Sequence, residues 1–222
     1  ITDLGGSSGG ESDKLIISKD ATVKATVSVS FTATSDTLNH VDNAVTKAII
    51  STDTDGATID MSAASAGVFT LTGNDGVDKL TGGAGADTIN AGKGDDIITI
   101  TTAGHGDTDV MDGGVGADVL QLSTGKHTFA DDTKLANIET IKTAAGGSEV
   151  ILEKQKEALT ITGDDGVDKV TGGEGIDTID AGKGDDIITI TTAGHGDTDV
   201  MDGGVGADVL QLSTGKHTFA DD

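Results

Sequence analysis

The chain contains no cysteine, no proline, no tryptophan and no tyrosine, and only four phenylalanines among its 222 residues. Without cysteine there are no disulfides, so the fold must hold without covalent staples. Without large aromatics, a core has to be assembled from layers of small aliphatic side chains. That suits a thin solenoid better than a globule with one thick centre. Basic residues are scarce too: 14 Lys and Arg stand against 38 Asp and Glu, a formal net charge of −24. Phosphate contacts need clustered cations, so this balance excludes nucleic acid as a partner and speaks against anionic membranes. No apolar run approaches the roughly 20 residues of a membrane-spanning helix, so no transmembrane segment is expected. The first thirty residues carry no signal-peptide pattern, and the chain opens on Ile1.

What the sequence does have is glycine, 34 in all, and repetition. Leu71–Asp132 aligns with Ile161–Asp222 at a period of 90 residues, with six differences: Leu71/Ile161, Asn74/Asp164, Leu80/Val170, Ala84/Glu174, Ala86/Ile176 and Asn90/Asp180. The remainder, Ala91–Asp132 against Ala181–Asp222, is identical. Such tandem near-identity is typical of arrays and filaments. The closing text STGKHTFADD repeats Ser123–Asp132, which predicts a pattern continuing past Asp222.

Inside each copy lies a period of nine. GGAGADTIN (Gly82–Asn90), AGKGDDIIT (Ala91–Thr99) and GGVGADVLQ (Gly113–Gln121) share the template G-G-x-G-x-D-x-U-x, with U a large aliphatic. GNDGVDKLT (Gly73–Thr81) and GHGDTDVMD (Gly104–Asp112) fit more loosely, and the residues ITITT ahead of Gly104 interrupt the register. The physical reading is direct. Glycines at the second and fourth places allow a tight turn and close backbone approach: Gly83, Gly85, Gly92, Gly94, Gly114 and Gly116 in the first copy; Gly173, Gly175, Gly182, Gly184, Gly204 and Gly206 in the second. The last three residues make a minimal strand whose central aliphatic points inward. Two nonapeptides then form one coil of a flattened roll. Stacked coils bury a narrow seam of Leu80, Ile89, Ile98, Met111, Leu120 and Leu122, then of Val170, Ile179, Ile188, Met201, Leu210 and Leu212.

So thin a seam does not offset the entropy of ordering so many glycines. The aspartates supply the rest. Stacking brings the aspartate of one loop near that of the loop two nonapeptides on, where bare carboxylates would repel. A Ca²⁺ ion, which takes hard carboxylate and carbonyl oxygens, turns that repulsion into cohesion. The expected pairs are Asp78 with Asp96, Asp87 with Asp109 and Asp96 with Asp118, then Asp168 with Asp186, Asp177 with Asp199 and Asp186 with Asp208. Loop pairs count to about three ions per block. A metal-free acidic linker would have no reason to keep an aliphatic in phase with each aspartate.

At Gly73–Gln121 and Gly163–Gln211 the sequence resembles the RTX family of secreted bacterial proteins. The resemblance implies an all-β fold, a right-handed parallel β-roll or β-solenoid, with calcium-triggered folding and type I secretion. It carries the family's aspartate role to Asp78, Asp87, Asp96 and Asp118 and to Asp168, Asp177, Asp186 and Asp208. For Asp109 and Asp199 the chain departs from the pattern, since Asp107 and Asp197 stand where a glycine belongs.

The organisation expected is a β-rich segment over 1–70, a first block over 71–123, a spacer over 124–160, a second block over 161–213 and the start of another spacer over 214–222. Ala21–Thr34 alternates apolar and polar residues throughout and predicts one long half-buried strand, ordinary in a sheet or else an edge that pairs with another subunit. LANIETI (Leu135–Ile141) resembles LNHVDNAV (Leu38–Val45) in apolar spacing and acid, and GGESDKLIIS (Gly9–Ser18) looks like a shortened roll turn. VILEKQKEALTI reads as strand in preference to helix.

No catalytic arrangement is legible. GGSSG (Gly5–Gly9) lacks the preceding apolar strand of a nucleophile elbow. AGKGDD lacks the spacing of a phosphate loop. His105 and His195, with only aspartates beside them, read as solvated loop residues. The sequence therefore predicts a non-enzymatic, secreted calcium-binding repeat protein that self-associates into a bacterial surface layer or extracellular filament, its open coils docking head to tail. The alternatives are a stalk segment of a large adhesin, or the secretion and folding module of a toxin or hydrolase.

Overall fold

The computed structural model describes residues 23–27, 30–33, 48–53, 55–64, 67–101, 108–129, 131–191 and 199–213. These form twenty short strands and no helix, with every strand pair parallel. No helix among them is long and apolar enough to cross a membrane. These residues build a parallel β-solenoid.

One side is a nine-stranded sheet. It stacks β2 (Ser30–Thr32), β4 (Thr58–Asp60), β6 (Lys79–Thr81), β8 (Ile97–Ile100), β10 (Val119–Leu122), β13 (Thr140–Lys142), β15 (Thr160–Thr162), β17 (Thr178–Asp180) and β19 (Val200–Asp202). The other side is built by two sheets in succession. The six-stranded one holds β1 (Val23–Val27), β3 (Ala48–Thr52), β5 (Phe69–Thr72), β7 (Thr88–Asn90), β9 (Val110–Asp112) and β12 (Leu135–Ala136). The five-stranded one holds β11 (Gly125–Thr128), β14 (Ser148–Ile151), β16 (Lys169–Thr171), β18 (Ile187–Ile190) and β20 (Val209–Leu212). Successive strands alternate between the two sides, as a chain of nine-residue half-coils must. The exception is the coil between β10 and β13, which contributes β11 to one sheet and β12 to the other.

The middle residue of each strand points inward and stacks on its counterpart one coil away. Ile59, Leu80, Ile98, Leu120, Ile141, Ile161 and Ile179 form one such ladder, all essentially inaccessible. The seam departs from expectation at its far end. Leu210 is 46% exposed and Leu212 is 40% exposed, and Met201 is only partly buried. The reason is position: β19 and β20 are edge strands of their sheets among the described residues, so no further strand covers them.

Ala21–Thr34 is a second correction. Its described residues form two strands in different sheets. β1 pairs with β3 and β2 pairs with β4, on opposite sides of the solenoid. The alternation continues across both, with Val27, Phe31 and Ala33 buried and Thr26, Ser30 and Thr32 exposed. Both strands are edges of their sheets. VILEKQKEALTI holds two strand segments, the end of β14 and the start of β15, separated by a turn over 152–159. The segments 9–18 and 38–45 and residues 5–9, 105 and 195 lie outside the described residues, as does 214–222.

Coil length is not uniform. Thr81 pairs with Thr99 and Thr162 with Asp180, two nonapeptides apart. Ile98 pairs with Leu120, 22 residues on, so the insertion ahead of Gly104 lengthens a coil by four residues and not five. The strands keep their partners across the longer coil, Ile97–Ile100 with Val119–Leu122.

Following the nine-stranded sheet from Ile97 through Val119, Thr140 and Thr160 to Thr178 takes four coils and 81 residues. The copy of Ile97 is Ile187, nine residues further, in the five-stranded sheet. The 90-residue repeat is thus four and a half coils, and equivalent strands of the two copies lie on opposite sides of the roll.

Candidate calcium ladders

Each nonapeptide turn supplies one aspartate, two residues before the central aliphatic of the strand that follows. Asp78, Asp87, Asp96, Asp109, Asp118, Asp168, Asp177 and Asp186 are all buried at 0–1% exposure, while Asp208 is exposed and Asp199 intermediate. A carboxylate so buried needs partners. All six expected pairs meet, but as carboxylate to main-chain N–H. Oδ1 of Asp96 accepts the N–H of Asp78 at 2.7 Å, and Oδ1 of Asp118 accepts that of Asp96 at 2.8 Å. Asp109 does the same for Asp87 at 2.8 Å. In the second copy Asp186, Asp208 and Asp199 accept the N–H of Asp168, Asp186 and Asp177 at 2.8, 3.0 and 2.9 Å. Asp109 and Asp199 hold the same place as the others despite the altered loop ahead of them.

The second carboxylate oxygen separates the aspartates into two kinds. At the start of a column it is held by protein donors. Thr52 Oγ1 donates to Asp78 Oδ2 at 3.2 Å, and Thr143 Oγ1 donates to Asp168 Oδ2 at 3.1 Å. Gly83 and Gly173 give their N–H to Oδ2 of Asp87 and Asp177 at 2.7 and 3.0 Å. Further along, Oδ2 of Asp96, Asp118 and Asp186 is buried with no hydrogen-bond partner. Burial raises the pKa of Asp78, Asp118 and Asp168, and lifts that of Asp96 to about 6, with the charges of Asp118, Asp78 and Asp95 adding to desolvation there.

The glycines bring carbonyl oxygens to the same level. A methyl group on Gly94 or Gly116 would meet the carbonyl of Gly76 or Gly94 at 1.9 or 1.7 Å, so no other residue fits. Both also have left-handed φ, 137° and 159°. Gly92 and Gly114 face the carbonyls of Asn74 and Gly92, and Gly85 faces that of Gly67. In the second copy Gly182, Gly184, Gly204 and Gly206 face Asp164, Gly166, Gly182 and Gly184, while Gly173 and Gly175 face Gln155 and Glu157. Gly83 is looser, its nearest carbonyl, Met61 O, 3.3 Å from an added methyl.

Among the described residues no three carboxylate or imidazole side chains converge, so side chains alone make no metal centre. Orphaned carboxylate oxygens beside stacked carbonyls are a different matter. They form an all-oxygen, anionic ligand set, which fits a hard cation taking six to eight oxygens. The pairing of Asp118 with Glu139 was missed from sequence: Glu139 Oε2 accepts the N–H of Asp118 at 2.7 Å, the next rung of the same column. Its signal was present, an acid two residues before Ile141 as Asp118 is two before Leu120.

A family model described as the RTX calcium-binding nonapeptide repeat matches the chain in four copies, at residues 70–99, 103–120, 162–189 and 193–210. No curated protein and no solved structure matches it.

Proposed function

We propose that this chain, a protein of the RTX calcium-binding nonapeptide repeat family, is a secreted structural element that orders on binding Ca²⁺ outside the cell and self-associates into a bacterial surface layer or extracellular filament. RTX nonapeptide repeats bind Ca²⁺, and the β-roll they build is not itself a catalytic fold. Asp96, Asp118 and Asp186, with the carbonyls stacked at Gly94, Gly116 and Gly184, are the residues that would hold the ions. Bound Ca²⁺ supplies the positive charge that lets buried carboxylates stay ionised. The protein's part is to fix the carbonyls, exclude water from the carboxylates and return one oxygen of each to a main-chain N–H.

The observation that carries the assembly reading is the duplication. Two nearly identical blocks continue one stack of coils, and their half-coil offset gives the roll the same side chains on opposite sides. That design suits contacts made repeatedly with like neighbours. Electron microscopy of the purified protein with Ca²⁺ and after chelation tests it. Sheets or fibres that form only with Ca²⁺ are expected. Single particles in saturating Ca²⁺ would overturn the assembly reading and favour a stalk or a secretion module.

A further inference from the structure

The first aspartate column does not stop at Asp118. The geometry points to a further Ca²⁺ site beyond the matched repeats, between the turn 113–118 and the turn 137–139, held by Asp118 Oδ2, the main-chain carbonyl of Asn137 and the carboxylate of Glu139. It rests on the calcium reading of the columns above.

The case starts from what faces what. A methyl group placed on Gly113 would lie 2.0 Å from Asn137 O and 2.7 Å from Asp118 Oδ2, so these two oxygens are within about 4.7 Å of each other. Two ligands of one Ca²⁺, each at 2.3–2.6 Å, can be up to about 5 Å apart. Both are acceptors. Asp118 is 1% exposed, and its Oδ2 has no hydrogen-bond partner. Two acceptor oxygens facing one space, one of them a buried carboxylate oxygen that no donor reaches, ask for a cation.

The same juxtaposition occurs inside a matched repeat. A methyl on Gly73 would lie 1.8 Å from Ala91 O and 2.5 Å from Asp78 Oδ2. There Thr52 Oγ1 and the N–H of Asn74 reach the carboxylate, at 3.2 and 3.3 Å. At Gly113 no donor reaches Oδ2 of Asp118.

Glu139 completes the set. Its turn is three residues, 137–139, where the turn beneath it has six, so the chain cuts the corner between β12 and β13. Asn137 takes the bend at φ 51°, a left-handed conformation that asparagine tolerates. The shorter turn sets the main chain back, and glutamate's additional methylene restores the reach to Asp118 N–H. Oε2 makes that bond, and Oε1 has no hydrogen-bond partner among the described residues. Asp112 Oδ1 accepts from Asn137 Nδ2 at 2.7 Å, which fixes the peptide carrying the ligand carbonyl. Asn137 and Glu139 are exposed, so water can fill the remaining coordination positions.

Calcium titration of the full chain by calorimetry, with the parent and Glu139→Gln side by side, tests the site. Glutamine keeps an oxygen for the Asp118 N–H and removes only the charge. Glu139→Gln is expected to lose one bound Ca²⁺ or to weaken one at least tenfold, with the circular dichroism of the Ca²⁺-saturated protein unchanged. Glu139→Asp, too short to span the gap, is expected to lose the same ion. An ion count and affinities equal to the parent's in Glu139→Gln would overturn the site while leaving the other ions in place. A parent that binds no Ca²⁺ would instead overturn the calcium reading on which the site rests.

Discussion

Ala91–Asp132 and Ala181–Asp222 are the same sequence, yet their described residues do not sit in the same surroundings. Leu120 is inaccessible and Leu210 is 46% exposed; Asp118 is buried and Asp208 is exposed. Val115 and Val205, which point outward from their turns, match at 69% and 70%. The difference is confined to side chains that a following coil covers: β13 lies on β10, and among the described residues nothing lies on β20. A residue in this solenoid has no fixed worth of its own. Its contribution depends on the neighbouring coil, as nearest-neighbour coupling in repeat proteins requires.

The largest effect expected is one that erases the comparison. Chelating Ca²⁺ should abolish the β circular dichroism of both blocks together, and Mg²⁺ should restore it poorly because of its demand for near-octahedral geometry. Unchanged spectra after complete chelation would refute calcium-dependent order.

Next comes the pair that sharpens it most. Leu120→Ala should destabilise the Ca²⁺-bound protein by about 3 kcal/mol, and Leu210→Ala, already half in solvent, by less than about 1 kcal/mol. Equal losses in chemical denaturation would mean that coil burial does not set the difference.

A smaller effect separates aspartates within one column. Asp96→Ala removes an oxygen that no protein donor holds, whereas Asp78→Ala removes one already held by Thr52. Calcium titration should show the larger loss of affinity for Asp96→Ala. A larger loss for Asp78→Ala would invalidate the division by donor.

The pH dependence follows from Asp96, whose folded pKa of about 6 exceeds the ordinary carboxylate value of 3.8. Between those values the folded state holds more protons than the unfolded, so its stability is fullest below the lower one and falls as pH rises through about 6. The Ca²⁺-free chain should therefore lose order on going from about pH 4 to pH 7, while Ca²⁺, which needs ionised carboxylates, should reverse the trend. Denaturation midpoints across that range, with and without Ca²⁺, check both signs. Smallest of all, Lys93→Ala and Lys183→Ala break exposed ion pairs of 3.0 and 2.9 Å to Asp75 and Asp165. Neither should move the melting midpoint measurably, and the two copies should here behave alike.

The sequence declared the strands and aspartates of the repeats because two signals stay locked in phase there. Leu80, Ile98 and Leu120 each follow an aspartate by two residues, and a nine-residue period needs both. Where the phase slips, the reading failed. Glu139 does not stand out in the sequence because its turn is three residues short of the template. Ala21–Thr34 reads as one strand because its period of two runs unbroken from β1 to β2, although the two lie in different sheets. The offset between copies was hidden by arithmetic, since 90 residues would make five even coils of eighteen. The steps of 22, 21 and 20 residues from Ile97 to Thr160 use up one nonapeptide, which tertiary register alone reveals.

That half-coil has a genetic consequence. Parallel strands sit about 4.8 Å apart, so one 90-residue unit advances the stack by roughly 22 Å while turning it half a revolution. Unequal recombination between such similar copies would add or delete whole units. Each event would leave every strand in register and every column aspartate in place, yet rotate everything beyond the crossover to face the other way. An even number of events restores the original orientation, and an odd number inverts it. Length and facing in such a molecule cannot drift independently.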